Sequence, residues 1–337
     1  MRISKYLTVL FSFLIVTTIA TLIYVSWNKD DDYNLIGKTK IKLQLQWFDQ
    51  AQFIGFYVAC EKKYYSDEGL EVEIIQGGFN INPILKVRTG EADIGLITAD
   101  QLLLQRAEGH EIKAIGNVFN KSIACFMSRK DLNIQNPQDL VGKKVGIYRG
   151  FDTENILYSI LKKHNIDEKQ LNIVDAGNFS AFIAQEIDAF PSYLINEPIL
   201  AEDNNIKVNI LYPDDFGVQF YSDTLFTTEK FLNTNRKTVE RFLRASAKGW
   251  DYAKNHPDDA LSIMFNMIRT QNPKSEYQKQ MLMKVIENIY GGPKNSMFYM
   301  DRSRWDNMEQ CLYTIGKLKT QGHVGELCDF KMANEGK

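Results

Sequence analysis

Beyond residue 38 this chain alternates short runs of strand period with longer runs of helical spacing, and that alternation constrains its fold more than any other feature. Ile41-Lys42-Leu43-Gln44-Leu45 places apolar side chains at every second position, as a half-buried strand does. Phe53, Phe56, Tyr57, Cys60 and Tyr64 then follow at helical spacing, and Gly69 suits a helix stop. Further strands are expected at 70–74, 92–97 and 112–118, with helices at 83–89 and 100–108 between them. A second set begins near Pro137, with strands at 145–148, 171–175, 187–193 and 206–212 and helices at 152–164, 179–185 and 196–203. From Arg236 the pattern changes to long helices at 237–255, 257–267 and 276–290. Such alternation predicts an α/β protein with largely parallel sheets. A chain of 337 residues exceeds one ordinary core and suits two lobes. We expect one lobe from 38–126 plus 223–332 and the other from 127–222, with 122–129 and 217–227 as two strands crossing between them. A double hinge of this kind lets two lobes close on a ligand.

The amino end is of a different kind. Arg2 and Lys5 precede an uncharged run from Tyr6 to Trp27, about 22 residues and enough to cross a bilayer, which ends at Asn28-Lys29-Asp30-Asp31-Asp32. Basic residues before the run and acidic ones after it place the bulk of the chain outside the membrane. Residues 1–32 are therefore read as an uncleaved signal anchor or a cleaved signal peptide, and either way the folded part is exported. No cysteine follows the run, so lipid attachment through a cysteine is excluded there.

A net charge of −2 gives no electrostatic case for nucleic acid. The four cysteines, Cys60, Cys125, Cys311 and Cys328, show no CxxC spacing, which argues against a zinc site or a redox dithiol. Cys311 and Cys328 could pair in an oxidising compartment. Neither GxSxG nor HExxH occurs, nor a phosphate-binding glycine loop, so no hydrolase or nucleotide chemistry is indicated. No cofactor or metal is expected.

Candidate site residues cluster where strands end and helices begin, the usual place for a ligand in an α/β sheet. Trp47 follows the first strand beside Gln46, Asp49, Gln50 and Gln52. It serves either as a rim tryptophan or as a flat platform for a heteroaromatic ring, and its polar neighbours favour the platform. Glu197, between Asn196 and Pro198, either complements a helix dipole or faces a ligand. Gly77-Gly78-Phe79-Asn80 and Gly150-Phe151-Asp152-Thr153 are either ordinary turns or polar-group cradles, and Thr98 and Asp100 either cap a helix or point a hydroxyl and a carboxylate at the cleft. Asp215-Phe216-Gly217 is expected on the hinge side of the cleft.

Gln46-Trp47-Phe48-Asp49-Gln50-Ala51-Gln52-Phe53-Ile54-Gly55-Phe56 and Glu61-Lys62-Lys63-Tyr64-Tyr65-Ser66-Asp67-Glu68-Gly69-Leu70 together resemble the opening of substrate-binding proteins of bacterial ABC importers, in the branch that handles thiamine pyrimidine precursors. That branch is related to a fungal pyrimidine synthase and to nitrate, sulfonate and taurine binders. Gly90-Glu91-Ala92-Asp93-Ile94-Gly95, Ala107-Glu108-Gly109-His110, Tyr193-Leu194-Ile195-Asn196-Glu197-Pro198 and 241–250 extend the likeness over nearly the whole exported part. The resemblance implies a bilobal periplasmic-binding-protein fold of type II, a monomer with a small aminopyrimidine-like ligand, and a membrane permease as partner. It also implies that Tyr193 stacks on the ring and that the Glu197 carboxylate reads an aminopyrimidine edge; with it we expect Trp47 to stack on the ring and Asp49, Thr98 and Asp152 to be further polar contacts. Two alternatives stand beside this reading: a membrane-tethered sensing module, favoured by the long apolar run, and a pyrimidine synthase-like enzyme, for which the cysteine-rich run of the fungal relative is missing.

Overall fold

The computed structural model describes residues 37–268, 275–291 and 297–335. The expected signal segment at 1–32 lies outside them. No helix among the described residues is long and apolar enough to cross a membrane.

Two five-stranded sheets form the frame. The first contains β1 (Thr39–Gln44), β2 (Leu70–Ile75), β3 (Ile94–Ile97), β4 (Ile112–Asn117) and β10 (Thr224–Thr228) in the order β2-β1-β3-β10-β4. The second contains β5 (Ala124–Arg129), β6 (Lys144–Ile147), β7 (Asn172–Asp175), β8 (Ala189–Tyr193) and β9 (Val208–Leu211) in the order β7-β6-β8-β5-β9. The two orders are the same pattern. Each sheet runs second, first and third strand in parallel, and then admits one strand from the crossing chain before its fourth. That inserted strand, β10 in one lobe and β5 in the other, is antiparallel to both neighbours. The sheets are thus mixed, where the alternation alone suggested largely parallel ones.

The segments expected to cross between lobes lie largely inside the sheets. β5 pairs with β8 from Ala124 to Ser128 and with β9 up to Arg129, so the boundary expected at 126/127 falls within a strand. The crossings themselves are the short stretches 118–123 and 212–223, which run side by side. Val118 N–H donates to Asp223 O at 2.8 Å, Ser122 N–H to Phe220 O at 2.9 Å, and Ile123 N–H to the Ser222 hydroxyl at 3.0 Å.

The helices that carry the argument are α1 (Ile54–Glu61), α2 (Ala99–Ala107), α3 (Asp152–Lys163), α4 (Glu197–Asp203), α5 (Glu229–Asn255), α6 (Ser275–Tyr290) and α7 (Arg302–Thr314). The helix expected from the spacing of Phe53 to Tyr64 is interrupted, because Lys63 adopts a left-handed φ of 64° between α1 and a short helical turn at Tyr64–Asp67. α1 and α5 pack closely over the first sheet. A β-carbon on Gly249 would stand 2.1 Å from the Gly55 carbonyl oxygen, and one on Gly55 would strike the Trp250 ring, so glycine is required on both sides of this crossing. Leu43, Phe53, Phe56, Phe242 and Trp250 are fully buried around it. This packing anchors the loop that follows β1, which forms one wall of the site. All four cysteines are free, so Cys311 and Cys328 are not joined. Cys311 lies on α7, whereas Cys328 sits in a bridge with Ala114 of β4.

Candidate functional site

The β1 loop is held in place by its own polar residues and by the hinge. Trp47 O accepts from Gly77 N–H at 2.9 Å, tying the ends of β1 and β2 together. Gly77 must lack a side chain, since its β-carbon would lie 2.4 Å from the backbone of residues 45–47. Trp47 packs edge-on against Phe48, with ring centroids 5.4 Å apart, and against Phe79 at 4.7 Å. Phe79 is 75% exposed and Phe48 is exposed too, so the trio lies at the surface, with Trp47 partly buried against the core of the first lobe.

Below the loop, the amides of Gln46 and Gln52 both donate to Asp223, a fully buried carboxyl on the second crossing. Gln52 Nε2 reaches both Asp223 oxygens at 2.9 Å. Burial pushes Asp223 up to about 7, against the pull of these amides. Asp49, by contrast, is occupied locally: the Tyr57 hydroxyl of α1 donates to it at 2.5 Å.

The second lobe supplies Asp152, Tyr193 and Glu197. Asp152 is the first residue of α3, and its Oδ1 accepts from the Tyr193 hydroxyl at 2.7 Å and from Thr153 N–H at 2.9 Å. Burial and the nearby Asp100 carboxylate push Asp152 up to about 7. Tyr193 ends β8, so it and Glu197 do not share a helix. They are joined more directly, because Tyr193 N–H donates to Glu197 Oε2 at 2.8 Å. Asn196 Nδ2 donates to Glu197 Oε1 at 2.9 Å. Glu197 is buried and is pushed up to about 7 by that burial, in spite of these donors. Both of its oxygens therefore serve the turn that starts α4.

Helix α6 links the two halves of the site. Gln278 Oε1 accepts from Ala51 N–H at 2.7 Å, and its neighbour Tyr277 donates its hydroxyl to Asn196 Oδ1. The Trp47 loop and the Glu197 turn are thereby attached to adjacent residues of one helix. On the opposite side, Asn155 Nδ2 of α3 donates to Asp100 Oδ2 of α2 at 2.7 Å. Thr98 occupies the N-cap position of α2 without capping it through its side chain, and lies alongside Asp100.

The structure thus brings Asp152, Tyr193 and Glu197 into one chain of contacts, reaches the Trp47 loop through α6, sets Thr98 beside Asp100, and commits Asp49 to Tyr57. Sequence reasoning passed over Asp223, Asn155, Tyr277, and the roles of Gln46 and Gln52. Those two glutamines stood within the opening motif and carried a signal; an isolated Asp223 between Ser222 and Thr224 carried none. Asp215 is exposed, and its neighbour Asp214 is held by Arg304 of α7 through bonds of 2.9 and 2.6 Å. Among the described residues, the partners of Asp100, Asp152, Glu197 and Asp223 are amides, hydroxyls and backbone N–H groups, while the cations of this boundary sit on other carboxyls, Lys317 on Glu154 and Arg304 on Asp214. The charges acting on Asp152 and Tyr193 are accordingly carboxylates.

The family model described as NMT1/THI5 like matches residues 50–260. This chain belongs to the NMT1/THI5-like family. It is 23% identical over 275 residues to the formylaminopyrimidine-binding protein of Halalkalibacterium halodurans, covering 80% of this chain and 83% of that protein. It is 22% identical over 289 residues to the riboflavin-binding protein RibY of Chloroflexus aurantiacus, covering 83% and 82%. A relative from Legionella pneumophila, 22% identical and covering 80% and 85%, is named 4-amino-5-hydroxymethyl-2-methylpyrimidine phosphate synthase. The NMT1/THI5-like chain described here also shares its bilobal periplasmic-binding-protein fold with the aliphatic sulphonate binding protein SsuA of Escherichia coli, with a TM-score of 0.70 at 13% identity over 88% of this chain and 99% of that one.

Proposed function

We propose that this protein is the solute-binding component of an ABC importer, held outside the cytoplasmic membrane, and that it closes its lobes on an aminopyrimidine of the thiamine-precursor class. The observation that carries this reading is an acceptor-rich group of carboxyls between the lobes whose own partners are amides, hydroxyls and backbone N–H groups, the nearby cations Lys317 and Arg304 being committed to Glu154 and Asp214. Asp100, Asp152, Glu197 and Asp223 are all buried there. A sulfonate or nitrate would meet uncompensated like charge in such a place, which is strongly unfavourable in a low-dielectric site. An amino-substituted ring instead brings N–H donors to acceptors that need them.

In this reading Trp47 and Tyr193 contact the faces of the ring, each aromatic contact adding about 0.5–1.5 kcal/mol beyond burial. Glu197 meets the amino edge. With its carboxyl pushed up to about 7, the neutral acid donates to a ring nitrogen while its other oxygen accepts from the exocyclic amine. Binding without catalysis is supported by the relatives named as binders and by side-chain chemistry that offers no nucleophile-and-base arrangement at this boundary. Titration calorimetry with 4-amino-5-hydroxymethyl-2-methylpyrimidine, an alkylsulfonate and nitrate tests the proposal. One-to-one binding of the pyrimidine alone supports it. Binding of either anion, with none of the pyrimidine, refutes it.

A further inference from the structure

The N-terminal turns of α2 and α3 meet across the lobe boundary with more acceptors than donors. Asp100 is fully buried and Asp152 is 2% exposed, one on each lobe. Asn155, one turn after Asp152 on α3, ties the two helices by its bond to Asp100 Oδ2. Gln101 Nε2 of α2 adds a longer contact to Gly150 O at 3.4 Å. Yet Asp100 Oδ1, Asp152 Oδ2, Asn155 Oδ1 and Thr153 Oγ1 are all buried without a hydrogen-bond partner among the described residues. A buried polar atom left unpaired costs about 1–3 kcal/mol, and more where it bears charge. Four of them at one seam between lobes mark a place built to receive something. The Asn155 amide is bonded to Asp100 through its nitrogen, which leaves its free oxygen beside the same carboxyl.

We infer that this pair of carboxyls, one from each lobe, is the seat of a protonated alkylamine carried by the ligand, and that the amine fastens the lobes together when they close. This rests on the aminopyrimidine reading above and specifies which member of that class fits. An ammonium carries three donors and no acceptor, which matches the three acceptor-only oxygens, Asp100 Oδ1, Asp152 Oδ2 and Asn155 Oδ1, the Thr153 hydroxyl being a donor as well. A neutral hydroxymethyl or formylated substituent brings an acceptor of its own into a site already rich in them. Both carboxyls are raised by burial, and Asp152 further by Asp100, as expected of an acidic pair lacking its cation. Among the described residues no trio of acidic, histidine or cysteine side chains is placed to hold a metal ion, so an organic cation is the better match.

Calorimetry on the whole protein at pH 7 tests the inference with three ligands: 4-amino-5-aminomethyl-2-methylpyrimidine, its N-formyl derivative and its 5-hydroxymethyl counterpart. The free amine is expected to bind at least about tenfold more tightly than either neutral compound, the usual worth of one charge-assisted bond. Asp100→Asn is expected to bring the three affinities within about threefold of one another. Equal affinities in the unaltered protein, tighter binding of the formylated compound, or an undiminished preference in Asp100→Asn would each overturn the amine seat while leaving the aminopyrimidine reading intact. Binding of none of the three would remove that reading, and the inference with it. If Asp100→Asn fails to fold, the comparison in the unaltered protein still decides.

Discussion

Replacing Glu197 with glutamine should make the protein less stable in acid and more stable in mild alkali. In the native fold burial pushes this carboxyl from its ordinary 4.5 to about 7. Between those values the folded protein holds a proton that the unfolded chain has released. Stability contributed by this group therefore falls as pH rises from about 4.5, and the loss is complete above about 7. The difference corresponds to about 3 kcal/mol. Glutamine does not titrate and escapes that loss. It offers only one acceptor oxygen, however, to the two donors that Glu197 satisfies, Tyr193 N–H and Asn196 Nδ2. One buried donor is left short, at about 1–2 kcal/mol at every pH. At pH 5 the parent has already lost about 0.8 kcal/mol, so the variant should be less stable there by up to about 1 kcal/mol, and more stable by about 1–2 kcal/mol at pH 8. Urea unfolding of ligand-free protein at the two pH values measures this. The titrations of Asp152 and Asp223, common to both proteins, cancel in the difference to the extent that the sites act independently. A stability difference that stays the same at both pH values would refute the buried, proton-holding role assigned to Glu197.

Other perturbations follow from the same structure. Gly249→Ala places a methyl group against the Gly55 carbonyl and should lower unfolding free energy by at least about 3 kcal/mol, read by urea denaturation; a change under about 1 kcal/mol would mean α1 and α5 are free to separate. Arg304→Met strips Asp214 of its cation where both side chains are nearly buried, with an expected loss of about 3 kcal/mol. Arg304→Met with Asp214→Leu should recover much of that loss, and failure to recover would assign the cost to lost packing over Tyr221. Glu197→Ala should weaken aminopyrimidine binding by at least about tenfold in calorimetry, whereas unaltered affinity would confine Glu197 to its turn.

The strands of each lobe were legible because one half of their residues face the core and the other half do not. β1 shows this in alternating burial at Ile41, Lys42 and Leu43. β5 hides from that test. Ala124 to Ser128 are buried on both faces, so no two-residue period marks where the chain joins the second sheet. The inserted strands β5 and β10 were for this reason read as connectors. At the site, residues beside a strand end or a helix start could be read, among them Trp47, Asp152, Tyr193 and Glu197. Contacts made by folding alone could not. Gln52 and Asp223 lie 171 positions apart, and Asp100 and Asn155 lie 55 apart on different lobes. Local spacing carries no record of such pairs.

A crystal structure of the protein grown with 4-amino-5-hydroxymethyl-2-methylpyrimidine bears most directly on the central idea that the lobes grip an aminopyrimidine at their acidic boundary. The ring is predicted to lie against Trp47 and Tyr193 with its amino edge on Glu197, and with the Asn155–Asp100 bond retained. A ring bound away from these residues, or a boundary left empty at saturating ligand, would contradict it.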